Sequence, residues 1–196
     1  PDIYYIILDG YVRSDVLKDL YDYDNSEFVN NLEMEGFVVA QQSHSNYAKT
    51  ILSVPSTLNM DYVDTFAPGL DDSKFWWLME PFIDHSEVRT LLKSQGYQTV
   101  SFSTNWSLTD MNSADIHLAA FPVELTDFEQ YLLQTTPLRL SQPFLQDSAS
   151  VFTSETQRRT ILHTLGALDD FVSDPDPVFV FAHILLPHPP FVLDAE

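Results

Sequence analysis

Residues 3 to 8, Ile-Tyr-Tyr-Ile-Ile-Leu, run without a polar interruption into Asp9-Gly10. A short run of β-branched and aromatic residues with no polar alternation reads as a strand buried on both faces. The strand spans Ile3 to Leu8, and the Asp-Gly pair ends it in a turn. A strand buried on both faces needs cover above and below. The remaining sequence supplies it as helical segments that alternate with further strands.

SDVLKDLY has helical spacing with Ser14 as N-cap, and SEFVNNLEMEG is a second helix from a Ser26 cap to a Gly36 stop. FVVAQQSHS is read as the next strand. After it, Thr50 starts a helix that runs past Pro55. Residues 60 to 82 are irregular. SEVRTLLKSQG forms a helix between a Ser86 cap and Gly96, and YQTVSFS follows as a strand. Residues 105 to 150 read as loops and short helices, an insertion or lid. A long amphipathic helix capped by Ser154 then leads to the last strand, PVFVFAHILL. This order predicts an α/β fold with a mostly parallel central sheet and helices on both faces. Ligands of such sheets sit at the carboxyl ends of the strands. The polar residues that follow strands are therefore the candidates for function.

Composition narrows the chemistry. The chain has 196 residues, 29 of them acidic against 9 basic, for a formal net charge of -20. It offers no basic stripe to neutralise a phosphate backbone, which argues against nucleic acid as a partner. There is no cysteine, so disulfides, thiolate metal sites and cysteine nucleophiles are excluded. No apolar run is long enough to span a bilayer.

Asp9 is a hard oxygen donor at a strand end, suited to a divalent metal, although an Asp-Gly turn follows many strands. Thr50 lies at a helix N-terminus, where amides favour an anion such as phosphate. A hydroxyl is a poor nucleophile unless a metal activates it, and the plainer alternative is a first-turn helix residue. Lys49 is a phosphate contact or a surface lysine. His183 and His188 sit five residues apart around Pro187, with Pro189-Pro190 beyond. They converge on a ligand, or else His183 is buried in the core and His188 lies in a loop. Asn105, after the third strand, is a candidate phosphoryl contact. His44, His85, His117 and His163 read as structural. Trp76, Trp77 and Trp106 read as core or lid packing.

Together these segments resemble the alkaline phosphatase superfamily in its sulfatase-like branch. IILDGYVRSDVL resembles the first strand and metal-binding aspartate of sulfatases and nucleotide pyrophosphatase/phosphodiesterases. KTILSVPSTLN resembles the nucleophile helix of phosphoethanolamine transferases, with Thr50 ahead of Ser53-Val54-Pro55. AHILLPHPPF resembles the substrate-side histidine pair of those enzymes and of lipoteichoic acid synthases. LLKSQGYQTVSF is similar to the helix-glycine-strand unit between these motifs.

The resemblance implies a phosphate-ester or phosphodiester hydrolase or transferase. Thr50 is then nucleophile and metal ligand, Asp9 a metal ligand, and His188 a catalytic group. His183, Asn105 and Lys49 are substrate-binding. The cofactor implied is a divalent metal, zinc first, with manganese or calcium also suited. Further ligands are expected beyond Glu196, so residues 1 to 196 are expected to be the N-terminal portion of one sulfatase-like catalytic domain, a truncated fragment that by itself is weakly active or inactive with weak or empty metal sites. The implied setting is extracytoplasmic, with a phospholipid-type substrate and membrane anchoring outside this stretch. Two departures stand out. The Cys/Ser-x-Pro-x-Arg box of arylsulfatases is missing, which disfavours sulfate esters, and the transferases' disulfides cannot form. The rival reading is a non-catalytic binding module on the same fold.

Overall fold

The computed structural model describes residues 1–70, 76–145, 153–171, 176–189 and 191–193, without the side chains of Trp76 and Asp127. Four strands, β1 (Ile3–Leu8), β2 (Gln98–Phe102), β3 (Ile116–Leu118) and β4 (Val178–Ile184), form one sheet in the order β1-β4-β2-β3. Every pairing is parallel. The helices are α1 (Ser14–Tyr21), α2 (Ser26–Met34), α3 (Thr50–Leu58), α4 (Val63–Phe66), α5 (Glu80–Asp84), α6 (Glu87–Ser94), α7 (Asp127–Thr135), α8 (Gln142–Leu145) and α9 (Ser154–Ala167). The fold is the predicted α/β class. No helix among the described residues is long and apolar enough to cross a membrane.

β4 is the centre. All seven of its residues are buried, and its alternate side chains feed two cores. Val178, Val180, Ala182 and Ile184 meet Val100, Phe102 and Ile161 of α9 on one face. Phe179 and Phe181 meet Val54 and Leu58 of α3 and Ile83 of α5 on the other. Helices therefore cover both faces. Complete burial of such a side chain contributes about 1.5–3 kcal/mol each.

Three expectations are corrected. β1 has the predicted bounds, but among the described strands it pairs with β4 alone. Ile3 and Ile6 remain 37% and 44% exposed, so β1 is an edge strand and not a buried one. An apolar run reports composition, not the number of neighbours it acquires. The strand predicted in FVVAQQSHS is absent: residues 37–49 are irregular, and Val38 is 97% exposed. An apolar run becomes a strand only where another strand takes up its amides and carbonyls, and no described strand pairs with it. Conversely, β3 lies inside the predicted insertion at 105–150. It is three residues long, too short for any periodicity to show.

The helix caps are shifted in register. Ser14, Ser26 and Ser154 are first helical residues, and Arg13, Asn25 and Thr153 take the cap positions. Of these three only Thr153 caps with its side chain, accepting from Thr156 N–H. Ser86 caps α6 as expected, accepting from Arg89 N–H. Gly36 and Gly96 end α2 and α6 at φ +93° and +87°, conformations that a Cβ would strain. Pro190 and Glu196 lie outside the described residues.

A central β4 and a peripheral β1 predict unequal costs of truncation. Phe181→Ala is expected to cost about 3–5 kcal/mol, and Ile6→Ala less than about 1 kcal/mol. Both are read from denaturant midpoints, and equal costs would refute the strand order.

Candidate active site at the carboxyl ends of the strands

Asp9 follows β1 directly, and its N–H donates to Ile184 O at 2.9 Å, which extends the ladder to the last residue of β4. Gly10 then turns at φ +84°. A Cβ there would stand 3.4 Å from both Cα and N of His188. The turn after Asp9 and the loop after β4 therefore touch backbone to backbone, and glycine is what permits it.

Thr50 arrives from another direction. Lys49 is extended at the N-cap, and Thr50 is the first residue of α3. The helix is fixed by its buried side, Ile51, Leu52, Val54 and Leu58. The segment ahead of it is tied down by Asn46, which donates to Ser56 Oγ at 2.9 Å, and by Tyr47, whose hydroxyl accepts from Val63 N–H. Thr50 Oγ1 then donates to Asp9 Oδ1 at 3.3 Å across 41 residues of sequence. No side chain caps α3, so its first-turn amides and partial positive charge face the same region.

These groups line a cleft of about 220 Å³ with Trp106, Gln157, Leu185 and His188. The cleft lies at the ends of β1, β4 and β2, where a sheet of this connectivity binds ligands. The two histidines of AHILLPH separate here. His188 is exposed in the cleft wall, with Nδ1 2.6 Å from Pro189 O. The His183 side chain is fully buried, and its Nε2 lies 3.7 Å from Asp9 Oδ2. His183 thus has the buried core position given above as the alternative, behind Asp9 and outside the residues that line the cleft.

Two other candidates also sit elsewhere. The Asn105 side-chain amide donates to Thr160 Oγ1 of α9 at 2.5 Å, and its φ of +60° sets the turn after β2. The neighbouring Trp106 takes the place in the cleft expected for Asn105. Lys49 is exposed at the N-cap and outside the cleft wall, where its carbonyl accepts from Leu52 and Ser53.

Three buried residues were not singled out from the sequence. Thr109 Oγ1 lies 2.8 Å from His183 Nδ1. Gln157 of α9 is 5% exposed and lines the cleft. Asp110 Oδ1 accepts from Thr104 N–H at 2.9 Å and from Thr104 Oγ1 at 2.7 Å, which pins the loop carrying Trp106 and Thr109. Isolated Thr, Gln and Asp residues in a loop or a polar helix carry no periodic signal.

The carboxylates sit in contrasting fields. His183, above all, holds the Asp9 carboxyl below its ordinary value; burial opposes this, and His188 and Thr50 assist. Burial pushes Asp110 up to about 6 against its bonds from Thr104. Burial also pushes Glu124 upward, but bonds from His117 and Ser103 outweigh it and leave the carboxyl low. Asp9 and Thr50 supply two hard oxygens for a cation. Among the described residues no group of three or more His, Asp or Glu side chains gathers to hold a metal.

No protein-family model, curated protein or solved structure matches this chain.

The raised Asp110 value has a measurable consequence. In the folded chain the protonated form is favoured, so its stabilisation is fully present below 3.8 and is lost as pH rises through about 6. Asp110→Asn is expected to remove that fall, on the order of 1–3 kcal/mol. Denaturant titrations across the window test this, and parallel pH profiles for both proteins would contradict it.

Proposed function

We propose that this protein is a metal-dependent hydrolase or transferase of phosphate esters or phosphodiesters, of the sulfatase-like alkaline phosphatase type, with Thr50 as nucleophile. The observation that carries this reading is the meeting of Thr50 Oγ1 with Asp9 at 3.3 Å, at an uncapped helix N-terminus, in a cleft that also presents His188. A helix N-terminus stabilises the incoming phosphoryl oxygens.

The residues fit a divalent cation in kind. A carboxylate kept anionic and a hydroxyl lie side by side, and hard oxygens suit zinc, manganese or calcium. Catalytic zinc takes three protein ligands, so this pair requires at least one more. A cation held by Asp9 and Thr50 supplies two things: it lowers the pKa of the hydroxyl and neutralises charge on the phosphoryl group. Asp9 is too acidic to be a strong base. Its part is to hold Thr50 in line and to bind the cation.

The chemistry then balances on this chain's own groups. Thr50 Oγ1 bonds to phosphorus as its proton leaves to water, and the bond to the leaving oxygen breaks in line. His188 gives the leaving oxygen a proton. Water or an alcohol then attacks phospho-Thr50 as His188 takes its proton, the bond from phosphorus to Thr50 Oγ1 breaks, and Oγ1 regains a proton from water. A phospholipid-type substrate and an extracytoplasmic setting belong to the same proposal.

Thr50→Ala tests it directly. With zinc or manganese, turnover of p-nitrophenyl phosphate or bis-p-nitrophenyl phosphate is expected to fall by about 10³-fold or more. The thermal midpoint should stay within the shift of a surface substitution. Unchanged turnover in the variant would sink the nucleophile assignment. Metal binding without turnover in the parent would favour a binding module.

A further inference from the structure

Two carboxylate–histidine–hydroxyl chains lie inside this molecule, and comparing them assigns a proton. In the first, Glu124 Oε2 lies 3.3 Å from His117 Nε2, and His117 Nδ1 lies 2.8 Å from Ser101 Oγ. The Ser101 hydroxyl has a strong acceptor of its own, Met111 O at 2.8 Å. It therefore accepts from His117. In the second, Asp9 Oδ2 lies 3.7 Å from His183 Nε2, and His183 Nδ1 lies 2.8 Å from Thr109 Oγ1. The other acceptor available to Thr109 is Trp106 O at 3.4 Å, at the limit of a hydrogen bond.

The two directions open to the Thr109 bond differ in cost. If Thr109 accepted from Nδ1 of a ring carrying one proton, a bare Nε2 would face a carboxylate oxygen. Nε2 is buried with no hydrogen-bond partner, and Asp9 Oδ2 faces it at 3.7 Å, so two acceptors would face each other out of water's reach. If Thr109 donates, Nε2 carries the hydrogen and points it at Asp9. The shorter bond and the better electrostatics agree.

We propose that Thr109 is a positioning residue: its hydroxyl donates to His183 Nδ1 and fixes the Nε2–H tautomer, which turns an N–H toward Asp9 Oδ2 and leaves Oδ1 for Thr50. Thr109 is fully buried and His183 is 2% exposed, so neither touches substrate. The Trp106 ring, 6.2 Å from the imidazole centroid, packs beside His183. Thr109 acts through His183 on the aim of Asp9, as partners of a ligating carboxylate do in metal sites. The effect on catalysis rests on the function proposed above, but the tautomer does not.

The test is ¹⁵N NMR of the His183 ring nitrogens at neutral pH. The expected spectrum shows a protonated Nε2, and a bare Nδ1 shifted by an incoming hydrogen bond. Thr109→Val should abolish that shift, and Thr109→Ser should restore it. A protonated Nδ1 in the parent protein, with Nε2 either bare or protonated, would overturn the proposal. So would a shift indifferent to Thr109→Val. If Thr109→Val does not fold, the parent spectrum and Thr109→Ser still decide. In turnover, Thr109→Val is expected to lower kcat by about 10–100-fold with KM little changed, and Thr109→Ser to recover it. A parent protein with no phosphoesterase activity would defeat the functional reading while the ring spectrum still judged Thr109.

Discussion

Seven consecutive buried residues leave the backbone of β4 with no access to water, so every amide and carbonyl must find a partner in a neighbouring strand. The parallel ladders to β1 and β2 meet that demand. The cleft inherits its precision from them. Asp9 is placed by its bond to Ile184 O, His183 by its position in β4 itself, and His188 by the contact of its loop with Gly10. The three groups come from segments far apart in sequence, yet their relative positions are set by one hydrogen-bonded strand pair. Thr50 is brought in separately by α3, whose apolar side chains pack beneath the same sheet.

In a chain of net charge -20 the problem is to keep particular carboxylates anionic and oriented near one another. The protein does this locally. Asp9 and Glu124 each face a histidine, and the far nitrogen of each histidine meets a hydroxyl. Among the described residues Asp110 has the Thr104 hydroxyl and amide as direct partners, and burial raises it. Two of these carboxylates thus face a histidine, and the third, given neutral donors, anchors the loop beside Asn105.

Much of the sheet was legible because long apolar runs bounded by Gly or Asp signal strands whatever their tertiary setting. β1 and β4 show this, as does the Ser86-to-Gly96 helix with its cap and stop. What composition did not carry was partnership. FVVA has the residues of a strand and no pairing, and Ile-His-Leu has three residues and a pairing. The site divided along the same line. Asp9, Thr50 and His188 were legible because they follow regular elements and so project at the end of the sheet. His183 and Asn105 follow or end strands too, but their side chains turn inward to Asp9 and to α9. Thr109 and Gln157 became visible only with the fold, since their roles come from what lies opposite them.

The pairing of β1 with β4 bears on how the chain is made. Asp2 accepts from Val178 N–H over 176 positions, and the whole β1–β4 ladder spans a similar distance. A ribosome adding about 5–20 residues per second would expose Ile3–Leu8 for about 9–35 s before β4 has been synthesised. Throughout that interval a sticky apolar segment has no strand to join, and Asp9 has no His183 behind it. Assembly of the cleft therefore waits for β4, and until then the apolar Ile3–Leu8 segment is open to aggregation and to chaperone capture.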